Sequence, residues 1–196
     1  MLVSMRLAIL ASGAGTTTQA VLDACAAGRI DASVALVVSN NADAPVLERA
    51  RVAGVGWRHI SALTEGGEDA ADAALVQALQ AAGATHVLLA GYMKRVGPAL
   101  LAAFEGRIYN THPALLPAFG GAGMYGDRVH AAVLVSGATR SGATVHLVTE
   151  DYDSGPIVAS VEVAVLADDD VASLGERVRA AEREMVVDVL AAVARG

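Results

Sequence analysis

A chain of 196 residues, 54% hydrophobic and only 18% charged, is long enough to bury a sizeable core and too apolar for a disordered polymer. Its net charge of −7 leaves no basic stripe to neutralise a nucleic-acid backbone, although backbone N–H groups can still hold a small anion. The single cysteine, Cys25, excludes an internal disulfide and fits a reducing compartment, and no apolar run approaches the roughly 20 residues of a membrane span.

Residues 1–10 (MLVSMRLAIL) are too short an apolar stretch for a signal peptide, and Arg6 splits them. A cytoplasmic protein is therefore expected, with Met1 or Met5 as its start and a first strand over 6–11. Residues 13–18 make a turn of small residues, and 19–27 read as a helix that stops near Gly28. A second buried strand covers 33–39. Asp43 as N-cap and Pro45 in the first turn then signal a helix that Gly54 ends. Residues 57–61 read as a short third strand and the Gly/Glu/Asp-rich 65–72 as an exposed loop. Residues 70–82 form an alanine-rich amphipathic helix closed by Gly83, and 86–92 (HVLLAGY) a fourth strand. Strands alternating with helices at this spacing predict a parallel doubly wound sheet, with ligands beyond the strands' carboxyl ends.

The rhythm then changes. Residues 106–110 read as a strand, 113–126 as a loop with Gly120, Gly121, Gly123 and Gly126, and 127–135 as a helix. Strands over 143–149 and 157–165, joined by a turn at Gly155 and Pro156, imply an antiparallel hairpin before a closing helix over 171–194. The expected fold is a single α/β domain: a Rossmann-like mixed sheet, parallel in its N-terminal half, ending in an antiparallel C-terminal hairpin and flanked by helices.

Two regions carry chemistry. The turn SGAGTTT (12–18) joins a strand to a helix, so free N–H groups and the positive helix end face an anion, and Thr16, Thr17 and Thr18 add hydroxyl donors. A dinucleotide fingerprint would place a third glycine at Thr18 and an acid where Asn40 and Asn41 stand, and a P-loop lysine is missing. The motif fits a mononucleotide phosphate; it equally fits a plain capped turn. The second region contains Asn110, His112 and Asp153, each expected just past a strand. An amide, an imidazole and a carboxylate are the parts that steady a tetrahedral oxyanion and move protons around it. Asn110 and His112, two apart on an extended segment, face the same side, and Pro113 fixes the backbone after them. Asp153 taken alone also fits an ordinary turn residue. His59 and His86 flank strands without a polar companion and read as structural; Cys25 reads as packing.

In order along the chain, SGAGTTTQ (12–19), LAGYMKRVGP (89–98), NTHPALLP (110–117) and HLVTEDYDSGP (146–156) resemble the motifs of the phosphoribosylglycinamide formyltransferase family. The resemblance spans nearly the whole chain. It implies transfer of a formyl group from 10-formyltetrahydrofolate to glycinamide ribonucleotide in purine synthesis, with no metal, no covalent enzyme intermediate, and no nucleic-acid or membrane partner. It implies Asn110, His112 and Asp153 as catalytic residues and His146 as their support. The ribonucleotide then falls to Gly15, Thr16, Thr17, Gly91, Met93, Pro113 and Glu182. The folate falls to Lys94, Arg95, Val96, Val148, Thr149, Glu150, Asp151 and Tyr152. His112 is expected as an imidazolium that Asp153 keeps charged. Residues 5–100 are expected to hold the ribonucleotide phosphate and 101–196 to carry catalysis and folate binding.

The chain also departs from that family. Thr17 stands where asparagine is common and Lys94 where arginine is common. Residues 119–126 (FGGAGMYG) replace a Pro-Gly/His segment of many members, and 65–69 are acidic where some place an arginine. Rival readings are a related folate-dependent transferase or hydrolase, which normally carries a further domain, and a nucleotide-binding module without catalysis. The oligomeric state is open between monomer and homodimer.

Overall fold

A computed structural model describes residues 4–196, so the choice between Met1 and Met5 as the start lies partly outside the described residues. Seven strands form one sheet: β1 (Met5–Leu10), β2 (Ala32–Ser39), β3 (Trp57–His59), β4 (His86–Leu89), β5 (Ile108–His112), β6 (Arg140–Leu147) and β7 (Ile157–Ala164). Their order is β3-β2-β1-β4-β5-β6-β7, parallel from β3 through β5 and antiparallel from β5 through β7. The helices are α1 (Thr16–Ala26), α2 (Pro45–Val52), α3 (Ala62–Glu65), α4 (Glu68–Ala81), α5 (Pro98–Ala103), α6 (Asp127–Ser136) and α7 (Val171–Arg195). This is the predicted mixed sheet flanked by helices.

The central strands are apolar without interruption because both faces of a parallel sheet are covered. Strand alternation sends successive residues of β1 to opposite cores. Leu7 and Ile9 join Val21 of α1, Leu47 of α2 and Leu174, Val178 and Leu190 of α7. Ala8 and Leu10 join Leu75 and Leu79 of α4 and Leu100 of α5. In β5 the same rule sends Ile108 to the α4–α5 core and Tyr109 to the α7 core. Asn110 and His112 therefore share the face of Ile108, while Thr111 shares the face of Tyr109.

Three expectations need correction. Asn110 and His112 are not past a strand: β5 runs on through both, because pairing with β6 extends its ladder to His112. The helix after β2 has Ala44 as N-cap with no side-chain bond, so Asp43 does not cap it; Pro45 starts it by its preset φ and missing N–H. The segment 65–72 is not a loop, since α4 begins at Glu68 and Asp72 is buried within it. Asp72 has a task there. Its carboxylate accepts the amides of Ala99 (2.7 Å) and Leu100 (3.2 Å), capping α5 from a neighbouring helix. That short helix went unread in the sequence because its N-cap, Gly97, brings no side chain. A Cβ at Gly97 would collide with the Asp72 carboxylate, so the glycine is required by the approach.

Asp72→Ala leaves one buried and one partly buried amide without an acceptor, which costs about 1–3 kcal/mol. Thermal unfolding should shift down by roughly 3–10 °C for a domain of this size. An unchanged Tm would remove Asp72 from its capping role.

Candidate active site

Beyond the carboxyl ends of β1, β4 and β5 the chain opens into a cleft of about 740 Å³. It lies where the strand order reverses between β1 and β4, the point at which neighbouring loops diverge and leave a crevice. Every site residue proposed from the sequence lines this one cleft: residues 15–17, 93–96, 110, 112–113 and 148–153, with Gly91, His146 and Glu182.

Asn110 and His112 end β5, and antiparallel pairing sets His146 of β6 directly opposite Asn110. Asp153 arrives from the β6–β7 loop with φ 52°, a left-handed backbone conformation rare outside glycine. The Gly121 amide donates to its Oδ2 at 2.9 Å. The carboxylate then lies between two imidazoles, Oδ2 3.4 Å from His112 Nδ1 and Oδ1 3.4 Å from His146 Nε2. Asn110 Nδ2 is 3.0 Å from the same His146 nitrogen.

Carbonyl oxygens settle where the ring protons sit. The Phe119 carbonyl, 2.8 Å from His112 Nε2, can only accept, so Nε2 carries a hydrogen and Nδ1 is left for Asp153. The Leu147 carbonyl likewise fixes a hydrogen on His146 Nδ1 at 2.9 Å. The side-chain amide of Asn110 is oriented by its contact with His146 Nε2. Burial pushes the His112 pKa below the ordinary histidine value, and outweighs the upward pull of Asp153 and of the Phe119 carbonyl. Burial thus opposes the expected imidazolium, while Asp153 and any further anion beside the ring favour it. Burial on its own would raise the Asp153 carboxyl, but bonds from His146 and Gly121 and the nearby imidazoles hold it below the usual carboxylate range.

One end of the cleft is built by α1 and α7. Gly15, the N-cap of α1, has φ 70° and packs so tightly on Val46 that a Cβ has no room. The first amides of α1 have no partner within the helix and are open to an anion. The three threonines divide differently from expectation. Thr16 is exposed, but Thr18 is fully buried with an unpartnered hydroxyl, because its position on α1 faces the core. Thr17 donates to Glu182 Oε1 at 3.0 Å. Burial raises the Glu182 carboxyl, opposed by bonds from Thr17 and Thr111 and by the charges of Arg183 and Arg179.

At the other end, Arg95 donates to the Glu150 carbonyl at 2.9 Å and lies 5.7 Å from the Tyr152 ring centre, clasping the segment after β4 to the β6–β7 loop. Val96 is buried in the α4–α5 core and Val148 packs against it, giving this end an apolar wall.

Other lining residues went unread in the sequence. Ser12 accepts from the Met93 amide at 2.7 Å and donates to Asn40, while Asn41 donates to the Ser12 carbonyl at 2.6 Å. This network ties the turn at 12–18 to the segment after β4; small polar residues at strand ends carry no signature of such long-range bonding. Arg179 was legible, since it stands one helical turn before Glu182 and so on the same face. His130 lines the cleft, buried, with Nδ1 unpartnered. His59 and His86 lie outside the cleft but do have polar companions: the Asn40 carbonyl at 3.3 Å and the Thr85 hydroxyl at 2.9 Å. Among the described residues no cluster of three or more His, Cys, Asp or Glu is placed to hold a metal ion, and no helix is long and apolar enough to cross a membrane.

Comparison with known proteins gives a family match and close structural neighbours. A formyl transferase family model matches residues 5–190. The chain is 41% identical to a chloroplastic phosphoribosylglycinamide formyltransferase of Arabidopsis thaliana, over 96% of this chain and 65% of that protein. It is 34% identical to the Escherichia coli phosphoribosylglycinamide formyltransferase, over 98% of this chain and 88% of the relative. The chain thus spans slightly under two thirds of the plant relative's length and most of the bacterial one's. Glycinamide ribonucleotide transformylase 1 of Symbiobacterium toebii has a similar crystal structure, with TM-score 0.93 and 43% identity, covering 98% of this chain and 89% of that one.

Burial lowers the pKa of His86, His112 and His130 alike. Below the ordinary histidine value of 6.5 the unfolded chain therefore binds more protons than the folded one. Stability should fall as pH drops from about 7.5 to about 5.5, with proton uptake on unfolding, in urea titrations across that range. A flat or rising profile would contradict the assigned burial.

Proposed function

The chain belongs to the formyl transferase family, and on that premise we propose that it moves the formyl group of 10-formyltetrahydrofolate to the amine of glycinamide ribonucleotide. The products are formylglycinamide ribonucleotide and tetrahydrofolate. One observation carries the reading: Asn110, His112 and Asp153, from two separate stretches, converge in the middle of a cleft with an anion-ready end and an apolar end.

The amine attacks the formyl carbon and the carbonyl oxygen becomes an oxyanion. Asn110, oriented by His146, donates an amide hydrogen to that oxygen. His112 takes up one proton from solvent as the anionic substrates bind and keeps it through the transfer, since each nearby anion favours the imidazolium; its charged ring then faces both the oxyanion and Asp153. The attacking nitrogen must lose one proton and the departing folate nitrogen must gain one. Asp153, kept ionised by its donors, is placed to order a water that carries it between them. The ribonucleotide phosphate lies on the amides of 15–17, with Glu182 on the sugar side and Gly91, Met93 and Pro113 between the substrates. The pterin lies against Lys94, Arg95, Val96 and residues 148–153. We assign phosphate binding mainly to residues 5–100 and catalysis to 101–196, with an exchange in each direction: Glu182 reaches Thr17, and Lys94–Val96 serve the folate. A reducing cytoplasm is the compartment we assign, on the strength of the unpaired Cys25.

Asn110→Ala and His112→Ala should each lower kcat about a hundredfold or more while KM for either substrate changes only a few-fold, because the lost bonds strengthen in the transition state. Steady-state assays of tetrahydrofolate release test this. Wild-type turnover by either variant would remove that residue from the chemistry.

A further inference from the structure

Resting on the ribonucleotide reading above, we infer that Thr17 is a positioning residue whose hydroxyl aims the Glu182 carboxylate into the cleft, not a ligand of the phosphate. Thr17 lies in the first turn of α1, where a hydroxyl beside free amides suggests an anion ligand. The geometry opposes that assignment. A hydroxyl owns a single O–H, and that of Thr17 points to Glu182 Oε1 at 3.0 Å. What remains on the oxygen is lone pairs, which repel a phosphate oxygen. The phosphate keeps the amides of the turn and the exposed hydroxyl of Thr16.

Glu182 needs such a partner. It is 8% exposed, lines the cleft, and comes from the middle of α7. A buried carboxylate is costly unless donors surround it. Its nearest helical neighbour on that face, Arg179, turns instead to Asp127 at 3.6 Å. Thr17 supplies a hydroxyl donor, and the buried Thr111 of β5 lies near enough to the same carboxyl to favour its ionised form. A carboxylate has about four acceptor sites, so those left over face the cleft and suit hydroxyl or amine donors of the acceptor substrate. Thr17 is β-branched and stiff at χ1, so it holds the carboxylate in one orientation. Thr111 sits between the two catalytic residues of β5 but on the opposite face, which links the catalytic strand to the sugar-facing carboxylate.

The test measures ribonucleotide affinity by calorimetry, and kcat and both KM values by turnover, in wild type, T17V, T17S, E182Q and the double variant T17V/E182Q, with Tm as a check on folding. T17V should raise the ribonucleotide Kd and KM about tenfold, as expected for one hydrogen bond to a charged group, and leave kcat and the folate KM within about twofold. T17S should restore affinity. In the E182Q background T17V should add less than about twofold, because the bond it removes is already weakened. Affinity lost equally in both backgrounds, as for a phosphate ligand, overturns the inference, and so does unchanged T17V binding. A wild-type protein that neither binds nor formylates the ribonucleotide instead removes the underlying functional reading.

Discussion

The site depends on a single carboxylate held between two imidazoles. Asp153 lies in a left-handed turn that few side chains adopt, and it stays there because the Gly121 amide and the rings of His112 and His146 fix its oxygens. Each neighbour is constrained in turn. His112 is tied to Phe119 on the glycine-rich loop and His146 to its own strand's end, and His146 orients Asn110. If the carboxylate is removed, the β6–β7 loop and the 119–126 loop lose their shared anchor, and His112 loses the anion that helps it accept charge.

The sheet distributes the work by its alternation. Residues of β5 facing α4 and α5 end in Asn110 and His112, the pair proposed as catalytic, and the residue between them faces α7 and its buried glutamate. The apolar wall for a pterin grows from the α4–α5 core, which Val96 and Val148 extend. The anion-ready turn and Glu182 grow from the α1 and α7 side. On the proposed assignment a donor and an acceptor approach from opposite faces and meet at the carboxyl end of one strand, where the parallel part of the sheet gives way to the antiparallel part.

Much of this was legible in the sequence, for identifiable reasons. Apolar runs such as 33–39 and the Asn110–His112 spacing are local signals, and local signals survive without coordinates. The sheet type followed from helices alternating with strands and from a tight turn before β7. What stayed hidden was non-local. Asp72 looks like part of an acidic loop until α5 is seen resting its amides on it. Thr17 and Thr18 look alike in a string of threonines, yet one meets Glu182, 165 positions away, and the other is sealed in the core. The forces on His112 were only half legible, because an adjacent carboxylate can be expected from motif order, whereas depth of burial cannot.

The destination of the formyl carbon decides whether this chemistry occurs. Incubating the protein with 13C-formyl-labelled 10-formyltetrahydrofolate and glycinamide ribonucleotide, and following the label by NMR, distinguishes the possible acceptors. The label should appear as an amide on the ribonucleotide, in step with tetrahydrofolate, and should not accumulate as free formate. Release of formate at the same rate with or without the ribonucleotide, or no transfer at all, would contradict it.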